Sequence, residues 1–208
     1  MADDFLSIAQ QLADLGRWFY GRGWVFGTSG NFSAILSQDP LRLAITASGL
    51  HKGELRAQDF LMIDESGGVL EGSGKPSAET LLHLSIARPL QSGAILHTHS
   101  VWATILSETC APSGGVEVEG YEMVKGLSGV PTHQHREWIP ILDNTQDYSA
   151  LAGEISTLLE KNSSLHGFLL RRHGLYTWGN SIFEARRHVE ILEFLLEVLG
   201  RQRLAAGG

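Results

Sequence analysis

The stretch GAILHTHS, residues 93–100, places two histidines at the end of a short apolar run. A run of this length, bounded by a glycine and by polar residues, is typical of a buried strand. Successive side chains of a strand point to opposite faces, so His97 and His99 share one face and can hold one metal ion. The same spacing also fits two polar residues where a strand ends, and this stretch alone leaves both interpretations open.

The composition is that of a globular protein. The chain has 208 residues, of which 43% are hydrophobic and 19% charged, so we expect one domain over residues 1–208 with a sizeable core. The formal net charge of −7 disfavours nucleic acid as a partner, because phosphate backbones bind positive surfaces. No apolar run is long enough to cross a bilayer, and we expect no membrane partner.

Two features predict a cytoplasmic location. The N-terminal segment MADDFLSIAQQL is acidic and amphipathic, without the basic and apolar regions of a secretory signal. Cys110 is the only cysteine, so the chain cannot form an internal disulfide, which suits a reducing compartment. The surrounding SETCAPSGG is typical of a loop, and we interpret the thiol as structural or incidental rather than as a nucleophile.

Hydrophobic periodicity on both sides of residues 93–100 predicts alternating helices and strands. Helical spacing predicts three helices before the C-terminal one. The first is the N-terminal segment up to YGRGW, the second is capped by Ser77 and must end before Pro89, and the third covers residues 148–160. Strands are predicted in LRLAIT, FLMID, WIPILD and GFLLRR. A final helix over residues 181–199 opens with a Ser-x-x-Glu capping box and carries one apolar stripe. These elements predict an α/β layered domain with a central, mostly antiparallel sheet flanked by helices.

Three glycine-marked segments lie in the first 80 residues: FGTSGNFSA, ITASGLHKGEL and GSGKPSAET. Each combines hydroxyl or amide side chains with glycines, which let backbone N–H groups converge on an anion such as phosphate. None matches a Walker loop or a dinucleotide fingerprint, and each segment alone also fits a simple turn. The presence of three together favours a site for a phosphorylated ligand.

A third candidate metal ligand is His173 in LLRRHGLYTWG, where an apolar strand ends before Gly174. Three protein ligands with one open position are typical of a catalytic zinc site rather than a structural one. The other six histidines are interpreted as incidental, except that the one beside Lys52 could face an anion: His51, His83, His133, His135, His166 and His188.

Five motifs, GTSGNFS, ITASG, KPSAE, HTHS and RRHGLY, resemble the class II aldolase/adducin family in their order and separations, from about Leu12 to Leu196. The resemblance implies the fold of that family, a homotetramer with sites near subunit boundaries, and a small sugar phosphate as substrate. It also implies one Zn²⁺ per subunit, held by His97, His99 and His173.

Three further stretches, GYEMVKGL, PILDNTQD and LLRRHGLYTWG, resemble the family's branch of dehydratases that act on 5-methylthioribulose 1-phosphate in methionine salvage. This resemblance implies a hydro-lyase that forms 2,3-diketo-5-methylthiopentyl 1-phosphate and water. The catalytic glutamate of the motif E-M-x-K-G corresponds to Glu122, which would serve as base and acid. Glu122 and Lys125 also fit a simple surface ion pair on one helical turn.

The aldolase pattern of the family implies substrate and phosphate contacts in the glycine-marked segments, with a lysine adding charge: Thr28, Asn31, Ser48, Gly49, Lys52 or Lys75, and Ser77. A second serine of that pattern is Ala78 here. Glu79 matches the aldolases' proton carrier, and we interpret it as a substrate-pocket residue secondary to Glu122. Its presence keeps a zinc-dependent aldolase for fuculose or ribulose phosphates as an alternative. A non-catalytic adducin-like interaction module is the alternative of another class, which the complete histidine set disfavours.

Overall fold

One nine-stranded sheet runs through the computed structural model, which describes residues 2–206. Met1 and residues 207 and 208 of the predicted domain lie outside the described residues. The strands are β1 (Asn31–Gln38), β2 (Leu41–Thr46), β3 (Phe60–Asp64), β4 (Val69–Glu71), β5 (Ala94–Thr98), β6 (Gly115–Glu119), β7 (Arg136–Leu142), β8 (Gly167–Leu170) and β9 (Gly174–Gly179). Their order is β4-β3-β2-β1-β5-β9-β8-β7-β6. Neighbouring strands pair antiparallel except β7 and β8, so the predicted mostly antiparallel sheet is confirmed.

Helices cover both faces of this sheet. In the described part of the chain they are α1 (Ala2–Gly21), α2 (Thr80–Leu90), α3 (Val101–Thr109), α4 (Tyr148–Lys161) and α5 (Ile182–Ala206). The apolar sides of α2 and α4 share a core with Ile95 of β5. On the other face, Ala94 and Leu96 pack with α1 and the start of α5, while α3 and the rest of α5 complete a third core. The alternation of Ala94, Ile95 and Leu96 between faces is the period-two pattern of a strand buried on both sides.

The bounds of several elements agree with the sequence pattern, and α2 does not. The helix begins at Thr80 instead of after a Ser77 cap, because residues 77–80 first make a turn in which the Thr80 N–H donates to the Ser77 carbonyl. Pro89 lies inside α2, contrary to the prediction. A proline there is tolerated because the helix ends one residue later, at Leu90, so only its last turn lacks a donor.

The described helices include no candidate for a membrane span, since none combines the required length with an apolar composition. Cys110 is buried at the end of α3, where the Arg203 guanidinium donates to its sulfur at 2.8 Å.

The candidate site lies at the centre of the sheet. His97 of β5 pairs with Asn31 of β1 on one side and with Tyr176 of β9 on the other.

Candidate metal centre

Three imidazole rings converge where β5 ends. The Nε2 atom of His97 lies 2.8 Å from that of His99 and 3.3 Å from that of His173, and the latter two are 3.1 Å apart. Two nitrogen ligands at about 2.0–2.1 Å from a tetrahedral zinc ion are roughly 3.3 Å from each other. The three nitrogens are therefore spaced closely enough to share one ion of this kind. His97 is buried, while His99 and His173 are half-buried and leave one side open.

Hydrogen bonds on the far side of two rings determine which nitrogens face the centre. Nδ1 of His97 donates to the Leu175 carbonyl at 2.9 Å, and Nδ1 of His173 donates to Oδ1 of Asn144 at 3.3 Å. In a neutral imidazole the other nitrogen then carries a lone pair. Lone pairs that point at one another repel, and a cation between them removes the repulsion. The donor set thus fits a metal ion, which is one of the two interpretations that the spacing of His97 and His99 leaves open.

Burial keeps these rings neutral. It lowers the pKa of His97 far below its ordinary value, with the neighbouring His99 and His173 acting in the same direction. It lowers the pKa of His99 to about 3, helped by the charges of His173 and Lys52. Burial also lowers the pKa of His173, although Glu79 opposes the shift. Because a ligating histidine must be deprotonated, the site is prepared for a metal at neutral pH.

A close backbone contact at Gly174 brings His173 next to the end of β5, where His97 and His99 lie. β5 and β9 pair with Thr98 opposite Leu175. A Cβ atom at Gly174 would lie 1.9 Å from the Thr98 carbonyl oxygen, so no other residue fits there without moving a strand. This contact holds His173 beside the end of β5.

Glu79 joins the triad from a third element, immediately before α2. Its Oε1 is 3.3 Å from Nε2 of His173, and its Oε2 is 3.8 Å from Nε2 of His97. The carboxylate is buried and carries a charge that would balance part of a divalent cation. The sequence interpretation assigned Glu79 to the substrate pocket, and the structure places it against the three candidate metal ligands.

Sequence reasoning missed several neighbours of this centre. Asn144 holds His173 through its Oδ1 atom. Tyr176 stacks on His97 with ring centroids 3.9 Å apart, and burial, followed by the nearby Glu79, raises its pKa well above the ordinary value. Burial and Glu79 also raise the pKa of Tyr148. Tyr176 lies in the stretch LLRRHGLYTWG that contains His173, but no local pattern there predicts its stacking on His97.

The three glycine-marked segments meet beside this centre. The Ser48 N–H donates to the Lys75 carbonyl at 2.8 Å, which joins the second segment to the third. Glu79 donates its N–H to Oγ of Ser77 at 3.3 Å, which connects the third segment to the triad. Thr28, Ser48 and Gly49 are exposed and Ser77 is half-buried, so their polar groups line an open rim.

Lys52 connects the first segment to the second. Its ammonium group donates to the carbonyls of Thr28 at 3.0 Å and Leu50 at 2.9 Å. Burial lowers its pKa to about 8, while the charge of Glu79 acts in the opposite direction. Lys52 therefore fixes two loops of the rim and also adds positive charge near it, whereas Lys75 is exposed.

Glu122 lies outside this group, on a short 3-10 helix, Glu122–Gly126. Its side chain is 71% exposed, accepts a hydrogen bond from the Lys125 ammonium at 2.5 Å, and lies 3.8 Å from Nδ1 of His133. The hydrogen bond from Lys125 and the charges of Lys125 and His133 lower the pKa of Glu122. Its contacts are therefore those of the surface ion pair, and none of them is with the triad.

The sequence model for class II aldolase and adducin N-terminal domains matches residues 10–199, and the chain belongs to this family. Two bacterial relatives carry the name methylthioribulose-1-phosphate dehydratase. The protein of Pseudomonas fluorescens (strain Pf0-1) is 49% identical over 91% of this chain and 90% of its own length. The protein of Methylococcus capsulatus (strain Bath) is 45% identical over 94% of each chain.

Solved structures of sugar-phosphate aldolases share the fold. L-fuculose-1-phosphate aldolase from Thermus thermophilus superposes with a TM-score of 0.77, at 22% identity and over 100% of both chains. A sugar-phosphate aldolase from Thermotoga maritima gives a TM-score of 0.72, at 22% identity and over 97% of both chains. The predicted family and fold are thus confirmed. Class II aldolases are typically metal-dependent, in agreement with the histidine triad.

Proposed function

We propose that this chain is a zinc-dependent hydro-lyase that converts 5-methylthioribulose 1-phosphate to 2,3-diketo-5-methylthiopentyl 1-phosphate and water, a step of methionine salvage. The observation that carries the proposal is the convergence of three neutral imidazoles beside three loops suited to a phosphate. The names of relatives that are 43–49% identical support the choice of substrate.

His97, His99 and His173 would hold the ion, one per subunit, with Glu79 beside it. When bound, the ion supplies Lewis acidity that stabilises negative charge developing on substrate oxygens. Imidazole ligands suit zinc, and the neutral state of the rings means that no proton must leave before the ion enters.

Proton transfer is assigned to Glu122. The substrate must lose the proton on C3 and the hydroxyl on C4. A carboxylate that accepts the first proton can return it to the leaving oxygen, which departs as water. The match of Glu122 to the glutamate of the E-M-x-K-G motif supports its role as base. Its lowered pKa keeps the group ionised at neutral pH but also makes it a weaker base. Its exposure supports a site completed at a subunit boundary of a homotetramer, where a second copy would bring Glu122 to the triad.

The phosphate group is assigned to the open rim formed by the glycine-marked segments. Hydroxyl and backbone donors there would bind it: Thr28, Ser48, Gly49 and Ser77. Lys52 supports these loops and contributes charge. A small phosphorylated metabolite also suits our proposals of a cytoplasmic location and of one domain over residues 1–208.

The proposal is tested by incubating the zinc-loaded protein with 5-methylthioribulose 1-phosphate and following the products by mass spectrometry. We expect the loss of one water, and a chelated sample should show none. Loss of water that persists in fully chelated protein would contradict the metal dependence. No loss of water from the zinc-loaded protein would contradict the proposed reaction.

Retro-aldol cleavage is the second candidate, and the position of Glu79 favours it. A carboxylate within 3.3 Å of a metal-binding histidine matches the proton carrier that the resemblance to aldolases implies. The same incubation distinguishes the two reactions, because cleavage between C3 and C4 yields dihydroxyacetone phosphate and methylthioacetaldehyde instead of water. An adducin-like module without catalysis is disfavoured by the complete triad, and the absence of metal binding would support it.

Glu122→Gln should separate the proton role from metal binding. General acid–base groups contribute about 10²–10⁴-fold to a rate, so we expect kcat to fall by at least about 100-fold while zinc affinity stays unchanged. Glu79→Gln is the matched variant, since that carboxylate lies at the triad and its loss should weaken zinc binding. A fully active Glu122→Gln variant would transfer the proton role to Glu79.

A further inference from the structure

A chain of buried hydrogen bonds leads from the core to Glu79. The Asn31 side-chain nitrogen donates to Oε2 of Glu79 at 2.5 Å. The side-chain oxygen of Asn31 is hydrogen-bonded to Nε2 of His83, and Nδ1 of His83 lies 2.7 Å from Oγ of Ser33. All four residues are buried, with His83 and Ser33 fully excluded from solvent.

The chemistry of the side chains determines which group donates and which accepts in each of these hydrogen bonds. Glu79 as a carboxylate can only accept, so the Asn31 amide presents its NH2 group to Glu79 and its oxygen to His83. That oxygen also only accepts, and Nε2 of His83 is therefore the donor. Nδ1 then accepts from the Ser33 hydroxyl. Burial lowers the pKa of His83 to about 3, which keeps the ring in this neutral form.

The elements that carry these residues make the arrangement rigid. Asn31 opens β1 and pairs directly with His97 of β5. His83 lies one turn into α2, and Glu79 is the residue immediately before that helix, where its side chain caps no backbone N–H. The hydrogen bond from Asn31 thus joins the carboxylate to β1 of the sheet that holds the histidines.

We propose that His83 and Asn31 are positioning residues that hold the Glu79 carboxylate against the histidine triad. His83 orients the Asn31 amide, and the amide donates to Glu79. This role differs from the phosphate contact that the aldolase pattern implies for Asn31, because one N–H of its amide is already bonded to Glu79. The effect on metal binding follows from this geometry alone, and only its effect on turnover rests on the proposed function.

The test measures zinc affinity by competition with a chromophoric chelator, without substrate. Outer partners of metal ligands contribute about 10–100-fold to metal affinity, so Asn31→Ala and His83→Met should each weaken zinc binding by at least about 10-fold. His83→Gln should restore most of the affinity, because its side-chain nitrogen can take the place of Nε2. Ser85→Ala is a control on the same helix, since its hydroxyl bonds only to the Leu82 carbonyl, and it should change nothing.

A second measurement separates positioning from phosphate binding. The affinity of each zinc-loaded variant for inorganic phosphate is followed by calorimetry. If Asn31 positions Glu79, Asn31→Ala retains phosphate binding once zinc is saturating. Unchanged zinc affinity in Asn31→Ala and in His83→Met, or equal zinc affinity of His83→Met and His83→Gln, would overturn the proposal. Thermal unfolding of the zinc-free variants identifies one that fails to fold, and the remaining variants then decide. Because no substrate is used, failure of the dehydratase reaction leaves this test intact.

Discussion

Two clusters of three histidines lie at opposite ends of the central strands, and only one of them suits a metal. The triad of His97, His99 and His173 lies where β5 ends and β9 begins. A second cluster, His135, His166 and His188, lies near the other end of β9, beside a cavity of about 340 Å³. His166 and His188 are neighbours there, with ring centroids 5.1 Å apart.

The clusters differ in what their ring nitrogens bind. In the second cluster, His166 bonds through Nδ1 to Glu137 and through Nε2 to the Ser128 carbonyl. Nδ1 of His188 donates to the Trp178 carbonyl, and its Nε2 accepts from the Ser128 N–H. Both nitrogens of His166 and of His188 are thus occupied by protein, and Nε2 of His135 is hydrogen-bonded to Glu137. In the triad, Nδ1 of His97 and of His173 binds protein and Nε2 turns inward, so unoccupied lone pairs distinguish a metal site from a structural network.

The strongest test of this comparison removes one ring from each cluster. His99→Ala should lower zinc affinity by more than about 100-fold, since even an outer partner of a ligand contributes about 10–100-fold. His188→Ala should leave zinc affinity unchanged but lower the free energy of unfolding. The buried Trp178 carbonyl loses a partner, at about 1–3 kcal/mol, and the half-buried Ser128 N–H loses one at a smaller cost. Chelator competition and urea unfolding measure the two effects. Equal loss of zinc binding in both variants would remove the distinction.

A smaller effect is expected at the outer side of the triad. Asn144→Ala deletes the acceptor for Nδ1 of His173, whose bond of 3.3 Å is long. Zinc affinity should fall by about 10-fold, the low end for such partners. Asn162→Ala, which removes a bond to the Leu158 carbonyl at the end of α4, is the matched control. If the two variants bind zinc equally, Asn144 has no part in orienting the ring.

The smallest expected effect is the change with pH in the free energy of unfolding that His166 contributes. Burial alone would lower the pKa of His166, but the hydrogen bonds and charge of Glu137 raise it. Its contribution to stability is therefore present below its unfolded pKa of about 6.5 and is lost as pH rises through the folded value. Burial lowers the pKa of His99 to about 3, so in the zinc-free protein it destabilises the fold as pH falls from about 6.5. The stability difference between the wild type and His166→Gln should shrink as pH rises, and a constant difference would contradict this.

Whether a strand could be predicted from the sequence depended on its pattern of apolar and polar residues. LRLAIT and FLMID coincide with β2 and β3 because short apolar runs end at polar turns. β1 was missed because its polar Asn31 and Ser33 suggest a loop, whereas both are buried by their bonds to Glu79 and His83. β9 is buried along its whole length and offers no alternation that would separate it from β8.

The same limit applies to the site. The spacing of His97 and His99 allows two ligands on one face, and the end of an apolar strand makes His173 a third candidate. The family resemblance then assigns all three to one ion. The approach of Glu79 and Asn144 depends on helices and loops that are far from the histidines in the sequence, and no local pattern encodes such a distance. Glu122 matches a motif, but in the isolated chain its exposed carboxylate has only the contacts that local spacing predicts.

The contact at Gly174 links metal binding to the folding of the chain. His99 and His173 are separated by 74 positions, and only the paired β5 and β9 bring them within reach of one another. An ion bound to both residues would close the loop between them. In an unfolded chain, bringing the ends of so long a loop together costs conformational entropy. Because the ion binds the folded form alone, it shifts the folding equilibrium by mass action, and the midpoint of thermal unfolding should rise with the concentration of free zinc. With zinc bound as proposed, the three imidazoles would make the stability of the central sheet depend on the concentration of free zinc.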